Sequence, residues 1–239
     1  MQKVNQFGTM QMLAESLLDG FVKNKDILCS GNVGIGTGEG IDGELIIWNG
    51  KSYRVDGNGN ITELDDDFPI VYANVHKSNF KFVNHFKNIT LELLRKEILD
   101  IVGSKNIIFS LLIDGKFKYV DTRSAFKSKK PYPGLEEIAK NQVNFSKNNV
   151  EGYMIGYYTI LYYTPVLYQG IGVPNYHQHF ISKNFDFGGH VTDAEILSAD
   201  VSIQFFSGID IELPISNNDY KNANLTNINK LKEIINKSE

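Results

Sequence analysis

Cysteine is almost absent from this chain, which has a single one, Cys29, among its 239 residues. One cysteine cannot form an internal disulfide bond, so a small disulfide-stabilised secreted domain is excluded. The first eight residues also lack the apolar stretch of a secretory signal peptide. We therefore expect a cytoplasmic protein, in a reducing compartment where Cys29 packs rather than reacts.

Long apolar runs and clusters of basic residues are missing as well. The most apolar segment, residues 154–168, is too short and too rich in tyrosine and threonine to cross a bilayer. The net charge is −4 and the pI is near 5.8, whereas a nucleic-acid-binding surface needs a clustered basic face. We expect neither a membrane nor a nucleic acid as a partner.

A nucleotide-binding loop is also lacking. Gly38, Gly40 and Gly43 match the spacing G-x-G-x-x-G. A dinucleotide loop follows a strand and opens a helix, but this segment leads into an apolar strand, and no P-loop pattern is present. We interpret these glycines as positions where the backbone turns tightly or approaches another segment closely, so no organic cofactor is expected.

The apolar pattern that is present predicts many strands and a few helices. Helical spacing of apolar residues predicts helices from Thr9 to about Gly20, over 91–102, over 135–142 and over 227–237. Two hairpins are predicted from their turn dipeptides, Asn49-Gly50 and Asp114-Gly115, the second joining strands 107–113 and 116–123.

A domain boundary is predicted near residue 148. Pro131 and Pro133 break the regular pattern, and Asn148-Asn149 has the composition of a linker. We predict an α+β protein with mixed sheets and a few helices. Residues 1–148 would form a mixed α/β domain, and residues 149–239 would form a β-rich, metal-binding domain with a terminal helix.

Three of the five histidines, His177, His179 and His190, lie close together in the sequence. His177 and His179 project from the same face of an extended strand, because successive side chains alternate. The Lys183-Asn184 segment and the following Gly188-Gly189 pair predict a hairpin that brings His190 back beside them. Three imidazoles with an open fourth position are typical of a catalytic zinc site.

The metal itself is not fixed by this pattern. Imidazole also suits iron, manganese, nickel and copper, so zinc is favoured without being the only candidate. The other two histidines, His76 and His85, have no partners at useful spacing, and we interpret both as ordinary structural residues.

Several blocks of the sequence, in order along nearly the whole chain, resemble the α-acetolactate decarboxylase family. The blocks are Gly34-Ile-Gly-Thr37, Ile41-Asp-Gly-Glu44-Leu, Thr122-Arg123, Lys130-Pro-Tyr, Gly-Val-Pro-Asn-Tyr-His-Gln-His-Phe at 172–180, and Gly-Gly-His-Val at 188–191. The last two are the most specific. The resemblance implies that His177, His179 and His190 bind a zinc ion.

The resemblance also implies the other active-site residues. The family's glutamate, threonine and arginine correspond to Glu44, Thr37 and Arg123. A second acidic residue comes from the family's C-terminal tail, for which Glu239 is the candidate and Glu233 competes.

Two positions within the histidine block depart from the family. Asn175 stands where the family usually has glycine, and Gln178 stands where it usually has leucine. Because side chains alternate along a strand, Gln178 is expected to face away from the metal.

The implied reaction is the conversion of (S)-2-acetolactate to (R)-acetoin and carbon dioxide, a step of acetoin and butanediol biosynthesis. Zinc would act as a Lewis acid on the substrate oxygens. Arg123 would orient the carboxylate, and Glu44 or Glu239 would supply the proton. We expect a small-molecule substrate and a homodimer.

The residues themselves leave two alternative functions open for the three-histidine site. A cupin-like metalloenzyme also uses His-x-His and a later histidine, but it usually adds a glutamate soon after the pair, and residues 180–186 contain none. A non-catalytic metal-binding or sensor module would lack an open cavity in which Arg123 and a glutamate face the metal.

Overall fold

The structure is a computed structural model that describes residues 2–159 and 170–225. Its strands are β1 (Val4–Phe7), β2 (Val22–Lys23), β3 (Val33–Gly38), β4 (Glu44–Trp48), β5 (Lys51–Val55), β6 (Ile61–Glu63), β7 (Pro69–His76), β8 (Lys81–Thr90), β9 (Ile108–Ser124), β10 (Val143–Thr159), β11 (Asn175–Ser182), β12 (Gly188–Phe206) and β13 (Ile209–Glu212). Its helices are α1 (Met10–Ala14), α2 (Asn24–Ser30), α3 (Leu91–Val102), α4 (Leu135–Lys140) and α5 (Asn218–Asn222). The predicted α+β class, rich in strands, is confirmed.

The strands form two sheets. The first, sheet A, has the order β13-β1-β7-β3-β4-β5-β6, with β2 also paired to β7, and only its β1–β13 pairing is parallel. The second, sheet B, has the order β11-β10-β9-β12-β8 and is antiparallel. Because β11 also pairs with β12, strands β9 to β12 form a closed circuit of pairings. Sheet A, with its one parallel pairing, is mixed as predicted.

The hairpin predicted at Asp114-Gly115 is wrong, because β9 runs unbroken from Ile108 to Ser124. Gly115 pairs with Gly152 on β10 and with Ala199 on β12, so both edges of the strand are occupied at this point. A Cβ atom added to Gly115 would collide with Ala199. This glycine therefore serves the close approach of neighbouring strands rather than a turn.

The linker predicted at Asn148-Asn149 is also wrong, because both residues lie inside β10. Asn149 adopts a positive φ of 50°, a local irregularity that asparagine tolerates, and pairing with β9 resumes at Val150. The strand therefore crosses the boundary expected near residue 148. The division into domains 1–148 and 149–239 stays a prediction.

The helices agree in part with the sequence analysis. α3 has the predicted bounds, begins after the N-cap Thr90 and ends at Gly103 in the left-handed conformation. α1 begins after Thr9 as predicted but stops at Ala14, and Ser16 then adopts a φ of 58°. None of the helices in the two described stretches is long and apolar enough to cross a membrane.

Two further expectations concern Cys29 and the C-terminal tail. Cys29 on α2 is exposed, so the expectation that it packs is wrong. The helix predicted over 227–237 lies outside the described residues.

A shared apolar cluster holds the two sheets together. Ile35 and Ile46 of sheet A pack with Ile155 and Ile181 of sheet B, and all four are fully buried. Burying such a side chain contributes about 1.5–3 kcal/mol. Because side chains alternate, Ile46 shares its face of β4 with Glu44, and Ile181 shares its face of β11 with the histidines. Glu44 on β4 and the histidines on β11 therefore point into the same space between the sheets.

Candidate active site

Three histidines converge at one end of the strand circuit. His177 and His179 project from one face of β11, and His179 lies directly opposite His190 on β12. One ring nitrogen from each histidine lies within 4.8 Å of the other two. The hairpin return predicted from the sequence is therefore present, and the three imidazoles can hold a metal ion.

Hydrogen bonding fixes the tautomer of His179. Its Nδ1 lies 2.9 Å from the backbone carbonyl of Leu45, which can only accept, so Nδ1 donates and carries the ring proton. Burial lowers the pKa of His179 to about 4. At neutral pH its Nε2 therefore presents a lone pair.

That lone pair faces a second electron-rich group. Nε2 of His179 lies 3.1 Å from Oε2 of Glu44, and both side chains are buried. Nε2 also has no hydrogen-bond partner among the described residues. Two opposed acceptors in a buried site repel each other unless a cation or a proton lies with them. The arrangement therefore fits a metal ion.

The other two imidazoles share the same electrostatic state. Burial lowers the pKa of His177 and that of His190 well below the usual range, and the positive charge of Arg123 lowers both further. Metals bind the neutral imidazole, so all three rings are in the binding form at neutral pH without losing a proton.

Arg123 lies near the end of β9, opposite His190 on β12. Its Nη2 is 3.3 Å from Nε2 of His190, so the guanidinium reaches the histidine group directly. Arg123 lines the same pocket as the three histidines. A planar fork of donors beside a metal-binding group is suited to holding an anionic substrate.

Glu44 enters the pocket from the glycine-rich segment. It is the first residue of β4 and follows Gly43, whose φ of +73° favours glycine. The hydroxyl of Thr37 on β3 donates a hydrogen bond of 2.7 Å to the Gly43 carbonyl. The glycines therefore build a tight turn, and Thr37 holds that turn where Glu44 begins.

The pocket has an apolar wall that the sequence analysis missed. It is formed by Met10 and Leu13 of α1 and by Leu135, Ile138 and Ala139 of α4. The sequence signal was present as apolar residues at helical spacing, but such residues usually belong to a core. Gln142, just beyond α4, also lines the pocket and carried no signal.

The two other histidines lie away from the metal-binding group. His76 is buried with its Nδ1 2.7 Å from the hydroxyl of Tyr157, and His85 lies 2.7 Å from Asp200 on the surface. Neither belongs to the metal-binding group, as expected. Glu239 and its competitor Glu233 lie outside the described residues.

The whole chain is similar to proteins of one known enzyme family. The family model described as "Alpha-acetolactate decarboxylase" matches residues 4–227. A relative of that name from Lactococcus lactis subsp. cremoris is 32% identical over 236 residues, which are 98% of this chain and 97% of the relative.

Solved structures of similar proteins share the fold over nearly the whole chain. The alpha-acetolactate decarboxylase of Bacillus subtilis strain 168 has a TM-score of 0.91 at 32% identity, covering 99% of both chains. A Staphylococcus aureus protein described as similar to this enzyme has a TM-score of 0.92 at 28% identity, again covering 99% of both. The chain therefore belongs to the alpha-acetolactate decarboxylase family and is a carboxy-lyase.

Proposed function

We propose that this enzyme converts (S)-2-acetolactate to (R)-acetoin and carbon dioxide with a zinc ion held by His177, His179 and His190. The observation that carries the proposal is the joint presence of three neutral imidazoles, Arg123 and Glu44 around one pocket. A non-catalytic metal-binding module has no use for an arginine and a buried glutamate beside its metal.

Zinc suits the ligand set and the chemistry. Three neutral nitrogen ligands leave a position open, as in catalytic zinc sites. Bound there, zinc supplies a Lewis acid for the electrons that remain when carbon dioxide departs. The opposed Nε2 of His179 and carboxylate of Glu44 support a cation at this place.

Arg123 orients the substrate carboxylate. Decarboxylation of a β-keto acid requires the breaking carbon–carbon bond to align with the neighbouring carbonyl, and a two-pronged guanidinium contact sets that alignment. A contact that favoured the bound carboxylate too strongly would also stabilise the ground state. Its contribution is therefore geometry as well as charge.

Glu44 supplies or holds the proton that completes the reaction. The carbon that loses carbon dioxide must be protonated on one face to give a single enantiomer of acetoin, so the acid must have a fixed position. The hydrogen bond from Thr37 to the Gly43 carbonyl keeps the start of β4 in place and thereby positions Glu44. We propose Glu239 as a second acid, with Glu233 as its competitor.

A direct test is the formation of acetoin by the purified, zinc-loaded protein from (S)-2-acetolactate, analysed by chiral gas chromatography. We expect (R)-acetoin far above the uncatalysed rate. His179→Ala should abolish it, whereas the matched surface variant His85→Ala should leave it unchanged. Acetoin at the uncatalysed rate, or racemic product, would refute the proposal.

We also propose that the enzyme acts as a homodimer in the cytoplasm, as expected from the sequence. Sedimentation of the purified protein tests the first part, with a species of twice the 27.0 kDa chain mass as the expected result. Fractionation of cells that produce the full-length protein tests the second part.

A further inference from the structure

Gln142 lies at the edge of the pocket, between α4 and β10. It follows α4, and its backbone N–H donates to the Ala139 carbonyl at 3.3 Å. The next residue, Val143, pairs with Ser124 on β9, beside Arg123. The backbone is therefore fixed on both sides of Gln142, whose side chain lines the pocket.

The side-chain oxygen of Gln142 is an unsatisfied acceptor. Its Oε1 is buried and has no hydrogen-bond partner within residues 2–159 and 170–225. Leaving a buried acceptor without a partner is unfavourable, and native proteins show few such atoms. An unsatisfied acceptor on a residue that lines a substrate pocket indicates that a ligand supplies the missing donor.

The chemistry of the pocket identifies that donor. Arg123 is a donor, and α1 and α4 present apolar side chains. The 2-acetolactate anion has acceptor oxygens in its carboxylate and ketone, and its single O–H donor is the hydroxyl on C2. The Glu44 carboxylate lies beside His179 and is assigned to proton transfer, so the unsatisfied Gln142 oxygen is the acceptor that complements this hydroxyl.

We propose that Gln142 is a specificity-determining residue that accepts a hydrogen bond from the C2 hydroxyl and selects 2-hydroxy-3-keto acids over 3-keto acids without the hydroxyl. This inference rests on the proposed function. A site that leaves a polar group unpaired rejects the ligand that lacks the matching group, so Gln142 contributes discrimination as well as affinity.

A pair of small acids isolates the contact. We choose 2-hydroxy-2-methylpropanoate and 2,2-dimethylpropanoate, which share the carboxylate and differ in a hydroxyl or a methyl group at C2. Calorimetry on the zinc-loaded enzyme gives their dissociation constants for the wild type, Gln142→Met and Gln142→Glu. Asn141→Met is the matched control, because Asn141 is an exposed neighbour outside the pocket lining.

We expect Gln142→Met to weaken binding of the hydroxy acid about tenfold, as for one hydrogen bond, and to leave binding of 2,2-dimethylpropanoate within about twofold. Gln142→Glu keeps an acceptor, so it should weaken both acids together and retain the preference for the hydroxy acid. Asn141→Met should change neither. The value of kcat/KM for 2-acetolactate should fall in Gln142→Met.

Equal effects of Gln142→Met on both acids would overturn the inference, and so would a wild-type enzyme that does not prefer the hydroxy acid. These outcomes are distinct from failure of the proposed function, which appears as absence of acetoin formation in the wild type. The binding measurements do not depend on turnover.

Discussion

At the scale of single residues, the site combines a cation and an anion that face one pocket. Arg123 approaches His190 from β9, and Glu44 approaches His179 from β4. Each has a feature that one substitution isolates: the planar fork of the arginine, and the ionisable proton of the glutamate.

Because the Arg123 guanidinium is planar and carries paired donors, we predict that Arg123→Lys damages the enzyme although the charge is kept. A single ammonium cannot reproduce two parallel hydrogen bonds to a carboxylate. We expect turnover to fall about a hundredfold, equivalent to a few kcal/mol of lost transition-state stabilisation. Steady-state kinetics of the zinc-loaded variant measure this. Unchanged turnover would place Arg123 outside the catalytic machinery.

Because Glu44 is proposed to transfer a proton, we predict that the Glu44→Gln variant is folded but nearly inactive. The amide keeps the shape of the side chain but can neither transfer a proton nor carry the charge. We expect the rate to fall by roughly 10²–10⁴, typical of a lost general acid or base. Zinc content and thermal stability should be measured alongside the rate. Normal kinetics with normal acetoin stereochemistry would leave Glu44 a structural residue only.

The residues of the site differ in how far the sequence could predict them. Alternation along a strand and a hairpin return are local rules, so the three-histidine group followed from the residues themselves. Glu44 and Arg123 were identified through the family resemblance, because no local rule links β4 or β9 to β11. Gln142 was missed, because the unsatisfied acceptor on its side chain can be recognised only in the folded structure.

At the scale of elements, the turn wrongly predicted at Asp114-Gly115 and the linker wrongly predicted at Asn148-Asn149 have one physical origin, which is pairing with distant strands. Asp-Gly favours a turn when the chain is considered locally, but β9 continues because β10 and β12 pair with it on both sides. The partners of Gly115 are Gly152 and Ala199, both far away in the sequence. α3 was predicted with its correct bounds, because its caps Thr90 and Gly103 are local signals.

A further prediction concerns the C-terminal segment and the proposed catalytic role of Glu239. If Glu239 supplies an active-site acid, deletion of Ser238 and Glu239 should lower turnover by about a hundredfold or more while changing thermal stability little. Glu233→Gln in the full-length chain is the companion variant. Full activity after the truncation would move the role to Glu233 or leave Glu44 as the only acid.

At the scale of the whole molecule, the site exists because two sheets meet. The apolar cluster around Ile46 and Ile181 joins the sheets, so Glu44 from one and the histidines from the other face a common space. The sequence predicted strands that belong to both sheets but not how they pair across long distances in the chain. The pairing of distant strands, such as β1 with β13, is what local patterns do not contain.

His76 makes the stability of this fold sensitive to acid. It is buried among Tyr157, Phe80 and Phe206, and burial lowers its pKa from 6.5 to about 3. The unfolded chain binds the proton more tightly, so stability is unaffected above pH 6.5 and falls as the pH drops from 6.5 towards 3.

At pH 5 the expected loss from His76 is about 2 kcal/mol relative to pH 7.5. Urea unfolding of the wild type and His76→Gln at both pH values measures it, because only the wild type contains this titrating group. We expect the variant to be less stable at pH 7.5 but to lose about 2 kcal/mol less on acidification. Parallel losses in the two proteins would contradict the assignment.

We propose that decarboxylation requires a metal held by His177, His179 and His190. The most direct test is metal analysis of the purified protein combined with an acetoin assay before chelation, after exhaustive chelation, and after zinc is added back. We predict one zinc per chain, no activity after chelation, and recovery with zinc. Full decarboxylation of 2-acetolactate by protein that carries no stoichiometric metal would contradict the claim.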